Sequence, residues 1–304
     1  MTSLRSAVVL SLVGASALVA CGSDGSTSDT PVITRQVINV GHTGDPVSEL
    51  LAEIYGQGLE NAGYGVGRKD PAADRAATLA ALEAGSTQFV PELSATLLAH
   101  LAAASGTDDT AVTIDEQVAA LDAALPDALT LGPVTGAEAT QVVVCNQATI
   151  SEHSLASISD LAGVAADVTV GVPADFQAAP SFGLDALNAA YETELTTAVV
   201  EVAEAAAQLA ADTIGCAVVP QTLPAITVDG LIALDDDKNL FPLDVVVPLM
   251  TTIAATPDVV AVVTQINGSL TSDVLRALLV KAAVGDQSYD VIAKQFLASL
   301  SSGQ

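Results

Sequence analysis

Few side chains in this 304-residue sequence are spaced for covalent or metal chemistry. The three histidines, His42, His100 and His153, stand far apart, and none lies at metal-ligand spacing from another histidine or a cysteine. No G-x-S-x-G nucleophile elbow occurs, so a hydrolase is not expected, and no catalytic residue, metal or cofactor is assigned. The run Gly63–Gly67 (GYGVG) follows a helical stretch instead of linking a strand to a helix, and it reads as a helix stop and turn, not a phosphate loop. Asp235–Asp237 lacks the glycine and the terminal glutamate of a calcium loop and reads as a solvated turn. His100 falls on an apolar helical run and reads as a helix-surface residue. The segment HTGDP (His42–Pro46) is different, because it stands between the end of a strand and the start of a helix. Free backbone N–H groups at such a place attract an anionic group such as a carboxylate, and the alternative is a self-capped loop.

Cysteine chemistry is confined to three positions. Residues 1–20 carry Arg5 and then a mostly apolar stretch, Ala7–Val19, that is too short to span about 30 Å of hydrocarbon, as in a secretory leader. The leader ends LVAC, which resembles a lipobox, and makes Cys21 the expected lipid-attachment residue. Residues 21–31 (CGSDGSTSDTP) read as a flexible tether. In an oxidising compartment Cys145 and Cys216 are expected to form a disulfide, with two buried thiols as the alternative. Both lie in strand-like runs, QVVVC and TIGCAVV.

The positioning elements follow from periodicity. Short β-rich runs alternate with longer Ala/Leu-rich helical ones, the pattern of an α/β protein. Gln36–Gly41 reads as a first strand, and the helix after it is capped by Asp45 with Pro46 at its start. A second helix is expected from a cap at Asp70 with Pro71 to Gly85, then a strand (TQFVPE), a helix with Leu97, Leu98 and Leu101, and a helix opened by a Thr113/Glu116 capping box. Ala128–Gly132 and Thr140–Cys145 read as strands, followed by DVTVGVP, a helix over LDALNAAYETEL, a helix over Val200–Leu209, the strand GCAVVP, and FPLDVVVPLM before a helical end. The chain is expected to cross from one lobe to the other near 138 and to return near 243. The formal charge of −27, with 36 acidic against 9 basic residues, repels nucleic-acid phosphates and anionic lipid headgroups.

The run VGHTGDPVSELLAEIYGQGLENAGYGVGRK resembles the opening of the glycine betaine/choline/carnitine (osmoprotectant) substrate-binding proteins of ABC importers. ALEAGSTQFVPE, ISDL and LIALDDDKNLFP are similar to later segments of that family in the same order, over roughly Ile38–Leu300. The resemblance implies a type II periplasmic-binding-protein fold, with two α/β lobes joined by a two-strand hinge. Lobe 1 is expected at 32–137 plus 244–304 and lobe 2 at 138–243. It further implies a monomeric, extracytoplasmic lipoprotein, held to the outer face of the cell membrane by its lipid alone. Such a protein captures a small polar solute of the osmoprotectant or quaternary-amine class, or a related amine, for an ABC permease and its ATPase. Carried onto this sequence, the expected site comprises His42, Thr43, Asp45, Thr78, Glu92, Leu93, Ser94, Phe176 and Gln177. Several of these depart from the family pattern. Leu93 and Thr78 replace tyrosines, Ala179 an arginine, His42 a serine and Asp45 an aromatic residue. The chain has no tryptophan, and ring faces are what hold a quaternary cation. Phe176, Phe182 and Phe241 are candidates for a different cage, and Asp45 and Glu92 for meeting a cation by charge. The alternative implied by these losses is a receptor-like lipoprotein without betaine binding that serves as a sensory or interaction module.

Overall fold

A computed structural model describes residues 36–107, 111 and 113–302. The leader, Cys21 and the tether lie outside the described residues. In chain order the elements are β1 (Val37–Val40), α1 (Pro46–Asn61), β2 (Gly65–Arg68), α2 (Arg75–Glu83), β3 (Phe89–Leu93), α3 (Ser94–Ser105), α4 (Ile114–Ala124), β4 (Leu129–Leu131), β5 (Gln141–Cys145) and α5 (Gln147–His153). A 3-10 turn (Ile158–Gly163) leads to β6 (Thr169–Val172), α6 (Ala174–Ala178), α7 (Leu184–Ala190), β7 (Thr196–Val199), α8 (Val202–Ala210), β8 (Cys216–Pro220), α9 (Pro224–Val228) and β9 (Ile232–Ala233). The chain ends through β10 (Val246–Thr251), α10 (Pro257–Asn267), α11 (Ser272–Gly285) and α12 (Tyr289–Ser302).

Two five-stranded sheets organise two α/β lobes, in the orders β2-β1-β3-β10-β4 and β7-β6-β8-β5-β9. Each sheet contains a run of three parallel strands. Each also contains an antiparallel strand contributed by a crossing. β5 pairs with β8 just after the chain leaves the first sheet, and β10 pairs with β3 and β4 just after it returns. The crossing segments run side by side, with an antiparallel bridge between Glu138 and Val245. Ala139 N donates to Asp244 O at 2.8 Å, and Val246 N to Ala137 O at 2.9 Å. The strand expected at Ala128–Gly132 is β4 of the first sheet, so the second sheet begins with β5. Cys145 and Cys216 are register partners on β5 and β8 and are joined by a disulfide.

The core of the first lobe packs α1 on its sheet through Leu50, Leu51, Ile54, Tyr55 and Leu59, against Ile38, Val40 and Phe89. Ile292, Ala293, Phe296 and Leu297 of α12 complete that layer. Tyr55 donates its hydroxyl to Asn267 Oδ1 at 2.7 Å, which satisfies a fully buried polar tip. The second sheet is covered on both faces, as a largely parallel sheet must be, with Val170, Val172 and Val218 in one cluster and Val144, Ala217 and Val219 in the other.

Three elements differ from the sequence expectation. Helix α2 starts at Arg75 because Asp74, not Asp70, caps it, accepting from Ala77 N at 2.8 Å. The GYGVG run is more than a helix stop. Gly63 turns the chain at φ +86°, and Gly65–Arg68 then pairs in parallel with β1 as an edge strand whose two glycines hide its pattern. The helix expected through LDALNAAYETEL ends at Ala190, with Glu192 in the left-handed region, and frees Thr196–Val199 to form edge strand β7.

Asp244 fastens a crossing segment to α3. That helix starts after Leu93, which provides no side-chain cap. Asp244 Oδ1 accepts from Ala95 N at 2.8 Å and Thr96 N at 3.3 Å, and Oδ2 accepts from Thr96 Oγ1. Burial pushes its carboxyl up to about 6, against the pull of these hydrogen bonds. A carboxyl raised above its unfolded value of about 3.9 contributes stability at low pH that is lost as pH rises through the folded value. Asp244→Asn keeps an acceptor for the two backbone donors and removes the titration. The variant is therefore expected to gain roughly 2 kcal/mol relative to the parent between pH 4 and pH 7. Urea unfolding at the two pH values checks this, and a difference that stays flat with pH contradicts it.

Candidate functional site

The parallel strands of both sheets direct their carboxyl ends toward a cleft of 450 Å³ between the lobes. Thr43 follows β1 and Leu93 ends β3, while Pro173, Glu201 and Pro220 stand at the ends of β6, β7 and β8, and all five residues line it. Crevices outside the carboxyl ends of parallel strands are where α/β proteins bind ligands, because strand-to-helix loops and helix N-termini converge there. α3 supplies Thr96, Ala99 and His100 to the same wall.

One buried guanidinium links the charged groups of this cleft. Arg75 opens α2, and its side chain is only 8% exposed. Its Nε donates to both carboxylate oxygens of Glu92 at 3.2 Å, and Glu92, on β3, is 1% exposed. Nη1 reaches across the cleft to Asp175 Oδ2 at 2.6 Å, so a single side chain of lobe 1 ties the two lobes together. Asp175 is 61% exposed, which leaves that second bond screened by water and easily broken. Burial works against the charge of Arg75, but Glu92, Asp175 and Asp45 outweigh it and hold the guanidinium ionised. Burial pushes the Glu92 carboxyl up while Arg75 pulls it back. His100 is held below its ordinary value by burial and by the charge of Arg75.

Four carboxylates line the cleft, Asp45, Asp74, Asp175 and Glu201, and each stands at a helix start, where the helix dipole favours negative charge. Asp45 Oδ1 accepts from Val47 N at 2.9 Å and Ser48 N at 3.0 Å, and Oδ2 accepts from Thr43 Oγ1 at 2.6 Å. The N–H groups expected to attract an anion at HTGDP are thus taken by the chain's own carboxylate, and the self-capped alternative holds. Gly44, at φ +90°, allows the loop to fold back in this way.

Of the residues expected from sequence, Thr43, Asp45, Leu93 and Phe176 line the cleft. Glu92 lies directly behind it, reaching it only through Arg75. Thr78 is buried and donates to Asp74 O at 3.1 Å, and Ser94 is buried and donates to Gln117 Oε1 at 2.6 Å, so both hold neighbouring elements in place. His42 and Gln177 are not among the lining residues, and Gln177 is exposed. Phe176 and Phe182 are the aromatic residues lining the cleft. Both are buried in the lobe 2 core, and Phe176 packs on Phe241 at a centroid distance of 6.0 Å. Asp236, in the acidic turn, is spent on structure, accepting from the Tyr191 hydroxyl and from Leu240 N and Phe241 N.

Asp175, His100, Gln141 and Thr222 also line the cleft, outside the site expected from the sequence. His100 belongs to the cleft wall, four residues after Thr96 and so on the same helical face, a spacing that the apolar neighbours masked. Nothing in the local pattern marks Gln141 or Thr222. Each stands at the cleft end of a lobe 2 strand, β5 and β8, and only the fold brings them to the wall.

The sequence profile of the substrate binding domain of the ABC-type glycine betaine transport system matches residues 36–299. The chain belongs to this family. Its fold is that of the type II periplasmic-binding proteins. A crystal structure of a glycine betaine/carnitine/choline ABC transporter is similar with a TM-score of 0.68 at 16% identity, covering 86% of this chain and 98% of that one. Lactococcal OpuAC, in its closed-liganded conformation with glycine betaine, is similar with a TM-score of 0.59 at 13% identity over 87% of this chain and 96% of that one. The glycine betaine/L-proline-binding protein ProX of Borrelia burgdorferi gives a TM-score of 0.59 at 14% identity over 86% and 92%. No curated protein sequence matches the chain significantly.

The Arg75–Glu92 pair makes its own prediction. Arg75→Met leaves a carboxyl buried without its partner and is expected to cost about 3–5 kcal/mol of folding stability, whereas Arg75→Met with Glu92→Met recovers most of it. Guanidinium unfolding of the two variants decides the matter. Equal losses in both would show that the pair does not act as a unit.

Proposed function

We propose that this protein captures a small polar solute, of the osmoprotectant or quaternary-amine class or a related amine, between its two lobes and delivers it to an ABC permease. The observation that carries this reading is the cleft itself, walled by strand ends of both lobes and crossed by one buried guanidinium whose far partner is solvated. Because that bond is weak, a solute entering the cleft competes for its partners, an ammonium with Arg75 for Asp175 or a carboxylate with Asp175 for Arg75, and lobe movement then follows binding. The paired crossing segments at 137–139 and 244–246 serve as the hinge for that movement. Cys21, in its LVAC context, anchors the chain by lipid to the outer face of the membrane, within reach of the permease. Acyl chains contribute about 0.8 kcal/mol per buried methylene, so two or more make a durable anchor.

Thermal-shift titration of the purified chain against betaine, choline, carnitine, ectoine, polyamines and amino acids tests this. At least one is expected to raise the melting temperature by several degrees at a concentration about 100 times its Kd, as mass action requires for a ligand that binds only the folded state. A flat response across the panel would defeat the transport reading.

A further inference from the structure

Granted that the cleft holds a small amine solute, we infer that Gln141 and Thr222 form a hydrogen-bonding subsite on its lobe 2 wall. This subsite selects a cationic nitrogen that carries N–H groups over a trimethylammonium one. Gln141 opens β5 and is the register partner of Pro220, which ends β8. Gln221 N donates to Thr140 O at 2.9 Å, which fixes the short turn that carries Thr222. Both residues line the cleft. Gln141 Oε1 and Thr222 Oγ1 are buried atoms with no hydrogen-bond partner among the described residues, and Thr222 is 0% exposed.

Buried polar atoms in folded proteins are almost always paired, and an orphan at a ligand cleft marks a place where the ligand supplies the missing group. An amide oxygen only accepts, so what meets Gln141 Oε1 has to bring an N–H or O–H. The threonine hydroxyl can accept a second one. The charge of the surroundings decides between a neutral donor and a cation. Asp45, Asp74, Asp175 and Glu201 line the cleft against Arg75, and the charge of Arg75 is already matched by Glu92. A protonated amine satisfies both the orphan acceptors and this negative excess. A trimethylammonium head satisfies only the second, because it has no hydrogen to give and needs ring faces around it. The two phenylalanines of the wall are packed into the core of lobe 2 and do not enclose such a head.

The test is isothermal titration calorimetry of the full chain with two stepwise methylation series, ethanolamine to choline and glycine to glycine betaine, repeated on Thr222→Val and Gln141→Leu. The unmethylated end of a series is expected to bind about tenfold or more tighter than its trimethylated end, because a site built to hydrogen-bond penalises an analogue that leaves its polar groups unpaired. Each substitution is expected to bring that ratio toward one by weakening the N–H members while sparing the trimethylated ones. Thr222→Val is nearly isosteric and removes an orphan hydroxyl, so it is expected to fold at least as stably as the parent. Tighter binding of choline or glycine betaine, or a ratio unchanged by both substitutions, overturns the subsite and leaves the solute-binding reading standing. No binding by either series or by the wider solute panel overturns both.

Discussion

A guanidinium enclosed between two lobes has to be met by negative charge, and the cleft is arranged around that requirement. Arg75 is placed at the first turn of α2 because Asp74, just before it, caps the helix. Glu92 is carried on β3, the strand next to the returning β10, and so can be buried behind the arginine without solvent of its own. With Glu92 matching its charge, Arg75 has donor capacity left over, and it spends one N–H on Asp175 of the other lobe. One side chain thereby makes a strong bond within its own lobe and a weak one across the gap. That asymmetry makes the contact between the lobes the easier of the two to break.

The same logic extends to the crossing segments. Each lobe receives one antiparallel strand from a crossing, so the sheets are mechanically continuous with the connection between them. Asp244 adds a second tie by supplying the N-terminal cap that α3 cannot find in its own sequence. α3 brings Thr96 and His100 to the cleft, so Asp244 joins the crossing segment to an element of the cleft wall. The acidity of the cleft has an independent origin in four helix starts, which favour carboxylates whatever binds nearby.

Much of this was legible in the sequence. The Asp45-Pro46 start of α1, the Thr113/Glu116 capping box, the long apolar faces and the alternation of strand and helix all state local rules that the tertiary structure did not override. The edge strands were not legible, because Gly65 and Gly67 in β2 and a threonine-rich stretch in β7 obtain their pairing from neighbours rather than from propensity. The site was legible only in part. The loop around Thr43 and Asp45 and the end of β3 announce themselves by position, while Thr78 and Ser94 carry side chains that turn away to satisfy neighbouring elements. Gln141 and Thr222 were invisible for a different reason. An unpaired buried oxygen is a property of three-dimensional surroundings, and no spacing encodes it.

The most direct test of solute capture between the lobes is a crystal structure of the protein with its tightest-binding amine. The account predicts electron density for one solute in the cleft, touching Arg75 or α3 from one lobe and Thr222 or Gln141 from the other. Density seated on the outer surface of one lobe, with the oxygens of Gln141 and Thr222 still unpaired, would contradict it.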